Sequence, residues 1–227
     1  FVDVLPDQNI NPDLIERAIT KKTKAIMPVH LTGRVCEMKK IMNLSKKYNI
    51  PIIEDAAQSV GSKLNNKMSG SFGDLGCFSA HPLKNLNGCG DGGYLTTNNK
   101  NFYLKATQLR NHGLSNRNLV KKFGFLSRMD VLQSVILNYR IKNLKQTIIK
   151  RRKNAKLYFE NLNQKKIFFP IEKKEEFNTY HTFVIQVNNR DKLIRYLASK
   201  GIQTAIHYPI PLHLQPASKY LNYKKGN

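Results

Sequence analysis

The sequence predicts an α/β protein with a mostly parallel sheet, followed by a smaller α+β region. Two short apolar runs, residues 24–30 and 51–53, have the composition of buried strands. Between them, residues 34–48 carry apolar side chains at spacings of three and four, which indicates an amphipathic helix. Because strand, helix and strand follow in this order, the two strands are expected to lie parallel in one sheet.

Further elements are expected along the rest of the chain. The predicted strands are 76–80, 93–97 and 182–187. The predicted helices are one capped by Asn98 or Asn99 and running to Leu109, a long pattern from an N-cap at Ser127 to about Leu162, and 191–201.

These elements divide the chain into three parts. We expect a partial large α/β domain over 1–125, a connecting helix over 126–162, and a partial small α+β domain over 163–227. The first residue is Phe1, and the chain opens in what reads as a strand. It is therefore expected to be a fragment that lacks an N-terminal region and a C-terminal end.

The composition limits the class of protein. The 227 residues are 41% hydrophobic and contain no apolar run near the length of a membrane span, so no membrane contact is expected. The formal net charge of +23 raises the question of nucleic-acid binding. The lysines are spread along the whole chain, however, which favours a general compositional bias and predicts no nucleic-acid partner. A basic surface still suits an anionic small molecule.

The three cysteines are widely spaced, at Cys36, Cys77 and Cys89. An odd number at such spacing argues against a disulfide framework and against a zinc site, so no metal is expected. Reduced thiols are typical of a cytoplasmic protein.

Two side chains are candidates for chemistry at the edge of the sheet. Asp55 follows the strand 51–53, and Lys84 follows the strand 76–80 in a loop rich in glycine. Ligands bind outside the carboxyl ends of strands in open parallel sheets. A lysine and an acid there suit pyridoxal phosphate, which forms an imine with lysine and pairs its ring nitrogen with an acid. On spacing alone, an ordinary strand-end acid and a surface lysine remain the simpler interpretation.

The sequence motifs around Asp55 and Lys84 are more specific than the spacing of these two residues. EDAAQSVGS and GSFGDLGCFSAHPLKNLNGCGDGGYLTTN resemble the nucleotide-sugar aminotransferases of the DegT/DnrJ type. LRNHG, SRMDVLQS and GIQTAIHYPIPLHLQP follow in the family's order, so the resemblance covers essentially the whole chain. It implies the pyridoxal-phosphate-dependent transferase fold of type I and pyridoxal 5'-phosphate as cofactor.

The resemblance also implies roles for individual residues. Lys84 should hold the cofactor covalently and then move protons, as a neutral amine whose pKa is lowered by burial and by the cationic ring. Asp55 should keep the ring nitrogen protonated, and Gln58 should bond the ring's phenolic oxygen. The remaining implied residues are Ala57 against the ring, Ser79 at the phosphate, His81 in a supporting role, and His207 with Tyr208 near the sugar nucleotide.

His30 ends the first strand near these residues. Its position fits a contact with the cofactor and an ordinary hydrogen-bonded strand-end histidine about equally well.

The implied activity is transfer of an amino group from an amino acid, with glutamate favoured, to a keto group of a nucleotide-activated sugar. The motifs are more similar to those of family members that act at C3 of the sugar than to those that act at C4. The product would serve polysaccharide or glycoconjugate synthesis. A homodimer with shared active sites is implied. One departure is Leu126, where many members carry an asparagine that reaches the partner's cofactor phosphate.

Three alternatives remain open from the sequence. The first is a sugar dehydratase of the same family, although that branch replaces the lysine with histidine. The second is a basic nucleic-acid-binding protein, and the third is an inactive fragment that lacks the family's N-terminal phosphate turn and stacking aromatic.

Overall fold

The structure is a computed structural model that describes residues 1–226. The chain forms two compact units. The larger unit consists of residues 2–163 and 169–184. The smaller consists of Phe1, residues 164–168 and the chain from Ile185 onward. The predicted division at 125 and 163 stays a prediction.

Helices and short strands alternate through the larger unit. Its helices are α1 (Pro12–Ala18), α2 (Met38–Tyr48), α3 (Lys100–Leu109), α4 (Val131–Ile141) and α5 (Leu144–Asn161). Its strands are β1 (Ile53–Asp55), β2 (Lys63–Leu64), β3 (Lys67–Met68), β4 (Leu75–Ser79), β5 (Gly93–Thr96), β6 (Leu114–Asn116), β7 (Leu119–Val120) and β8 (Glu176–Phe177). A 3₁₀ turn spans Leu31–Gly33.

The central sheet has the strand order β1-β4-β5. β1 pairs with β4 in parallel, and β4 pairs with β5 in antiparallel. The predicted strand 24–30 joins β1 through two parallel bridges, Ile26 with Ile52 and Val29 with Asp55. It does not form a regular strand, and Pro28 in its middle has no N–H to donate. The predicted strand–helix–strand unit with parallel pairing is confirmed.

The core of the larger unit lies between α2 and this sheet. Met38 and Ile41 of α2 are fully buried and pack with Ile15, Ile26 and Ile52. α2 begins at Met38, later than the apolar spacing from residue 34 indicates. It ends at Asn49, whose left-handed backbone is a common helix stop.

Helix boundaries show where local sequence signals predict a cap correctly and where they do not. Asn99 caps α3 as predicted, since its side chain accepts hydrogen bonds from the N–H groups of Asn101 and Phe102. The pattern predicted from Ser127 forms two helices, α4 and α5, separated at Lys142 and Asn143. The N-cap of α4 is Asp130, so the predicted cap at Ser127 is wrong.

The smaller unit contains α6 (Arg190–Ser199) and two 3₁₀ segments, Leu212–Leu214 and Pro216–Leu221. The helix predicted over 191–201 is therefore confirmed. The strand predicted over 182–187 is reduced to one bridge between Phe168 and Gln186. Within residues 1–226, no helix is both long and apolar enough to cross a membrane.

A buried carboxylate joins the end of β1 to the loop before β4. Glu54 is fully buried and accepts hydrogen bonds from His30 Nε2 at 2.8 Å and from the backbone N–H groups of Gly70, Phe72 and Gly73 at 2.6–2.8 Å. Burial by itself raises the pKa of Glu54. The bonds from His30 and the backbone outweigh burial, so the net pKa is lowered.

Glu54→Gln is expected to lower the free energy of unfolding by about 3 kcal/mol, because the amide presents one acceptor where the carboxylate presents two. Urea denaturation measures this difference. Glu160→Gln is the matched control: that carboxylate is exposed and lies 3.6 Å from Lys156, so the change should cost less than about 0.5 kcal/mol.

The same pair of proteins should respond to pH. Because the folded-state pKa of Glu54 is lowered, its stabilisation is complete above the unfolded pKa and is lost as pH falls through the folded value. The advantage of the wild type over Glu54→Gln should therefore shrink on acidification. A gap that widens at low pH would contradict this assignment.

Candidate active site

Asp55 lies at the carboxyl end of β1, where sequence reasoning expected it. Its backbone N–H donates to Pro28 O at 2.9 Å, and its carbonyl accepts from His30 N at 3.0 Å. Its Oδ1 accepts from the N–H of Ala57 at 3.0 Å. Both the backbone and one carboxylate oxygen are thus fixed, and the side chain is half-buried.

Lys84 lies in the turn that follows β4. Its backbone N–H donates to His81 O at 2.9 Å, which closes the turn 81–84. Burial lowers the pKa of Lys84, and the negative charge of Asp55 acts in the opposite direction. Asp55 ends β1, the strand that pairs with β4, and its carboxylate is the charge that opposes this lowering of the pKa. The lowered pKa is the direction that a lysine needs if it is to act as a neutral amine.

Gln58 has a fixed amide orientation. Its Oε1 accepts a hydrogen bond from the N–H of Thr32 at 2.8 Å. An amide whose oxygen is used in this way presents its NH₂ group in another direction. Gln58 is thus set up as a hydrogen-bond donor, which is what bonding to a phenolic oxygen requires.

Ser79 and His81 lie at the end of β4. Ser79 Oγ accepts from the N–H of His81 at 3.2 Å, which leaves the hydroxyl hydrogen to donate elsewhere. His81 is exposed, and its Nδ1 accepts from the N–H of Leu83 at 3.2 Å. Ser79 can therefore serve an anion as a donor, while the Nδ1 of His81 serves the turn.

His30 belongs to the structural core. Its side chain is fully buried, its Nε2 bonds Glu54, and its Nδ1 accepts from the N–H of Cys36 at 3.2 Å. Because both ring nitrogens are used internally, His30 has none left for a ligand. Of the two interpretations that the sequence left open, the hydrogen-bonded strand-end histidine is the one observed.

Asn85, directly after Lys84, was not singled out from the sequence. Its side chain is buried, and both amide atoms lack a hydrogen-bond partner within residues 1–226. An unsatisfied buried amide is unusual in a native protein, so this side chain can bond a water molecule or a ligand. The sequence signal was only its position beside the lysine.

His207 and Tyr208 lie in the smaller unit, whereas Asp55, Gln58, Ser79 and Lys84 lie in the larger one. Both side chains are exposed, and their rings are 5.3 Å apart in an edge-on arrangement. Their predicted role toward a sugar nucleotide stays a prediction.

The residues of the larger unit fit pyridoxal phosphate by their chemistry. They supply the Lys84 amine, whose pKa is lowered, and the Asp55 carboxylate, whose charge acts on that amine. Gln58 and Ser79 each accept a hydrogen bond from a backbone N–H, so each can still donate one to a ligand. A lysine and an aspartate at the carboxyl edge of a parallel sheet are the pair of groups with which pyridoxal-phosphate-dependent enzymes hold their cofactor.

The chain belongs to the DegT/DnrJ/EryC1/StrS aminotransferase family, whose model matches residues 1–227. The family resemblance read from the sequence is therefore confirmed.

Three similar proteins illustrate the match. A UDP-N-acetyl-3-dehydro-alpha-D-glucosamine 3-aminotransferase of Acidithiobacillus ferrooxidans is 42% identical over 88% of this chain and 54% of its own. A dTDP-3-amino-3,6-dideoxy-alpha-D-galactopyranose transaminase of Aneurinibacillus thermoaerophilus is 43% identical over 92% of this chain and 58% of its own. A Bacillus subtilis structure with bound cofactor PMP superposes with a TM-score of 0.90 at 33% identity. The superposition covers 100% of this chain and 53% of that one. The chain thus spans little more than half the length of these proteins, and its fold matches that of the Bacillus subtilis structure.

Asp55→Asn is expected to lower the pKa of Lys84 further, because the carboxylate charge is the influence that raises it. Asparagine keeps an oxygen that can accept from Ala57. Acetylation of Lys84 over a pH series, read by mass spectrometry, gives the midpoint. Asp91→Asn, an exposed acid in the same segment, should leave the midpoint unchanged. A midpoint that stays unchanged in Asp55→Asn would show that the two groups do not interact.

Proposed function

We propose that the protein carrying this chain is a pyridoxal-phosphate-dependent aminotransferase that moves an amino group from an amino acid to a keto group of a nucleotide-activated sugar. The observation that carries the proposal is Lys84, an amine of lowered pKa under the influence of the Asp55 carboxylate at the sheet edge. When bound, pyridoxal phosphate supplies an electron sink for the carbon that loses or gains a proton.

Each residue has a distinct task in this proposal. Asp55 holds a proton on the ring nitrogen, and its own orientation is fixed by the N–H of Ala57. Gln58 donates to the phenolic oxygen, because Thr32 occupies its amide oxygen. Ser79 donates to the phosphate. Lys84 would hold the cofactor and, as a neutral amine, would move the proton in both halves of the reaction.

The substrate class follows from the relatives. Two of them are named for nucleotide sugars that carry the reacting group at C3, one with UDP and one with dTDP. We therefore propose a 3-keto nucleotide sugar, with the nucleotide left undetermined and glutamate as the favoured donor. The net charge of +23 favours a diphosphate ligand. We propose a cytoplasmic location, in keeping with three cysteines that are all free thiols.

The first test is covalent attachment. After incubation with pyridoxal phosphate and reduction with borohydride, the natural protein should carry the adduct on Lys84 and lose it in Lys84→Ala. Lys153→Ala, at an exposed lysine of α5, is the matched control and should label as the wild type does.

The second test separates the alternatives. Transfer of ¹⁵N from labelled glutamate to a 3-keto nucleotide sugar supports transamination, whereas loss of water from the sugar without nitrogen transfer supports a dehydratase. Labelling scattered over many lysines, together with salt-sensitive binding to any DNA, would favour the nucleic-acid interpretation and defeat the proposal.

A homodimer is the assembly that we propose. Val131, Leu132, Val135 and Tyr139 recur at helical spacing along α4 and are 60–79% exposed. Leu126, just before the helix, is 64% exposed as well. A contiguous apolar stripe of this kind is typical of a surface that another protein covers, and a second copy fits a family implied to share active sites between subunits.

Val135→Asp should weaken the dimer by at least about tenfold, because a charge would be buried at the centre of this stripe. Sedimentation over a concentration series measures the change. Asn154→Asp places the same charge on the exposed surface of α5 and should leave association intact. Equal dissociation constants for the two variants would exclude the α4 stripe as the contact.

A further inference from the structure

The segment from Asn85 to Gly92 follows Lys84 and has little regular structure of its own. Its hydrogen bonds must therefore come from elsewhere. One is local: the N–H of Gly88 donates to Ala80 O at 2.7 Å, which closes residues 80–88 into a loop. We call residues 80–92, which include Lys84, the lysine loop.

Gln133 of α4 supplies a second restraint. Its Oε1 accepts from the N–H of Cys89 at 2.7 Å. A Cβ at Gly88 would lie 2.6 Å from that oxygen, and one at Gly90 would lie 3.2 Å from the Nε2. The glycines on either side of Cys89 therefore allow the amide of Gln133 to approach the backbone closely.

Arg140 supplies the third restraint. Its Nη1 donates to Asn87 O at 3.0 Å and to Gly88 O at 3.2 Å, and it also contacts the side-chain oxygen of Asn87. Hydrogen bonds from a charged guanidinium are stronger than neutral ones. One side chain thus fixes two consecutive carbonyls of the lysine loop.

The two side chains act from one face of one helix. Gln133 and Arg140 are seven positions apart, which is two turns of α4. Between them, Leu137 is buried against Ala80 and Leu86 of the lysine loop. The loop is therefore held by an apolar contact with a polar clamp on each side.

We propose that Gln133 and Arg140 are positioning residues for Lys84: they fix the lysine loop so that the amine is held half-buried at the end of β4. The proposal rests on the proposed function, in which Lys84 is the reacting amine. It adds α4 to the residues that would touch the cofactor, because this helix holds Lys84 in place.

The test uses Gln133→Leu and Arg140→Met, which remove the polar atoms and keep side-chain bulk. Gln146→Leu on α5 and Lys142→Met after α4 are matched controls at exposed sites. Two quantities are measured on the protein without cofactor: amide hydrogen exchange at Cys89, and the pH midpoint of Lys84 acetylation.

In Gln133→Leu, exchange at Cys89 should rise by about three- to tenfold, the factor expected for one lost hydrogen bond. Exchange at Glu54 in the core should stay unchanged, which separates local loosening from general destabilisation. In both variants the acetylation midpoint of Lys84 should move up toward that of an ordinary lysine, because a loosened loop exposes the amine to water. The controls should match the wild type.

Arg140→Lys keeps a cation that can donate to the same carbonyls, so it should keep most of the wild-type midpoint. Gln133→Leu keeps the test decisive if Arg140→Met fails to fold. A Lys84 midpoint that stays at the wild-type value in Gln133→Leu and in folded Arg140→Met, with or without faster exchange at Cys89, overturns the proposal.

The wild type distinguishes this failure from failure of the proposed function. If pyridoxal phosphate and borohydride label Lys84 in the wild type but the variants keep its midpoint, only the positioning role is lost. If the wild type itself gives no Lys84 adduct, the proposed function is lost, and the positioning proposal loses its basis with it.

Discussion

The hydrogen bonding of the Glu54 carboxylate is the interaction on which the rest of the site depends. A buried charge is costly unless it is fully bonded, and Glu54 receives one bond from His30 and three from the backbone between Gly70 and Gly73. These bonds tie the end of β1 to the segment that leads into β4. Since Asp55 ends β1 and Lys84 follows β4, the same bonds fix the separation of the two candidate reacting groups.

The two adjacent acids therefore do different work. Successive side chains of a strand point to opposite faces, so Glu54 and Asp55 cannot share one environment. Glu54 turns into the protein, and its pKa is lowered by hydrogen bonds that outweigh burial. Asp55 keeps a half-exposed carboxylate whose charge acts on Lys84. Strand geometry therefore leaves the Asp55 carboxylate, and not that of Glu54, available to a ligand.

Local patterns predicted the fold to the extent that local forces decide it. The cap at Asn99 and the parallel pairing around α2 follow from neighbouring residues, and both are found. Bonds between distant residues are invisible to such reasoning. Arg34, for example, pairs with Glu176 at 2.5 Å across 142 positions, and residues 34–37 precede α2 although their spacing looks helical. His30 stayed ambiguous for the same reason, because its partners Glu54 and Cys36 are set by tertiary contacts. The burial of Asn85 and the contacts of Arg140 also depend on which helix covers the lysine loop, so residue type alone could not reveal them.

α4 connects two properties that the sequence presents separately. One side of this 11-residue helix carries Gln133 and Arg140 against the lysine loop, and another carries the exposed stripe from Val131 to Tyr139. A helix this short gains most of its stability from packing, and with the stripe uncovered only Leu137 is buried. Covering the stripe with a second subunit would bury more of α4 and so stabilise the helix that holds the loop. In the proposed dimer, assembly and the environment of Lys84 would therefore be physically linked through α4, without any side chain of the second subunit touching the lysine.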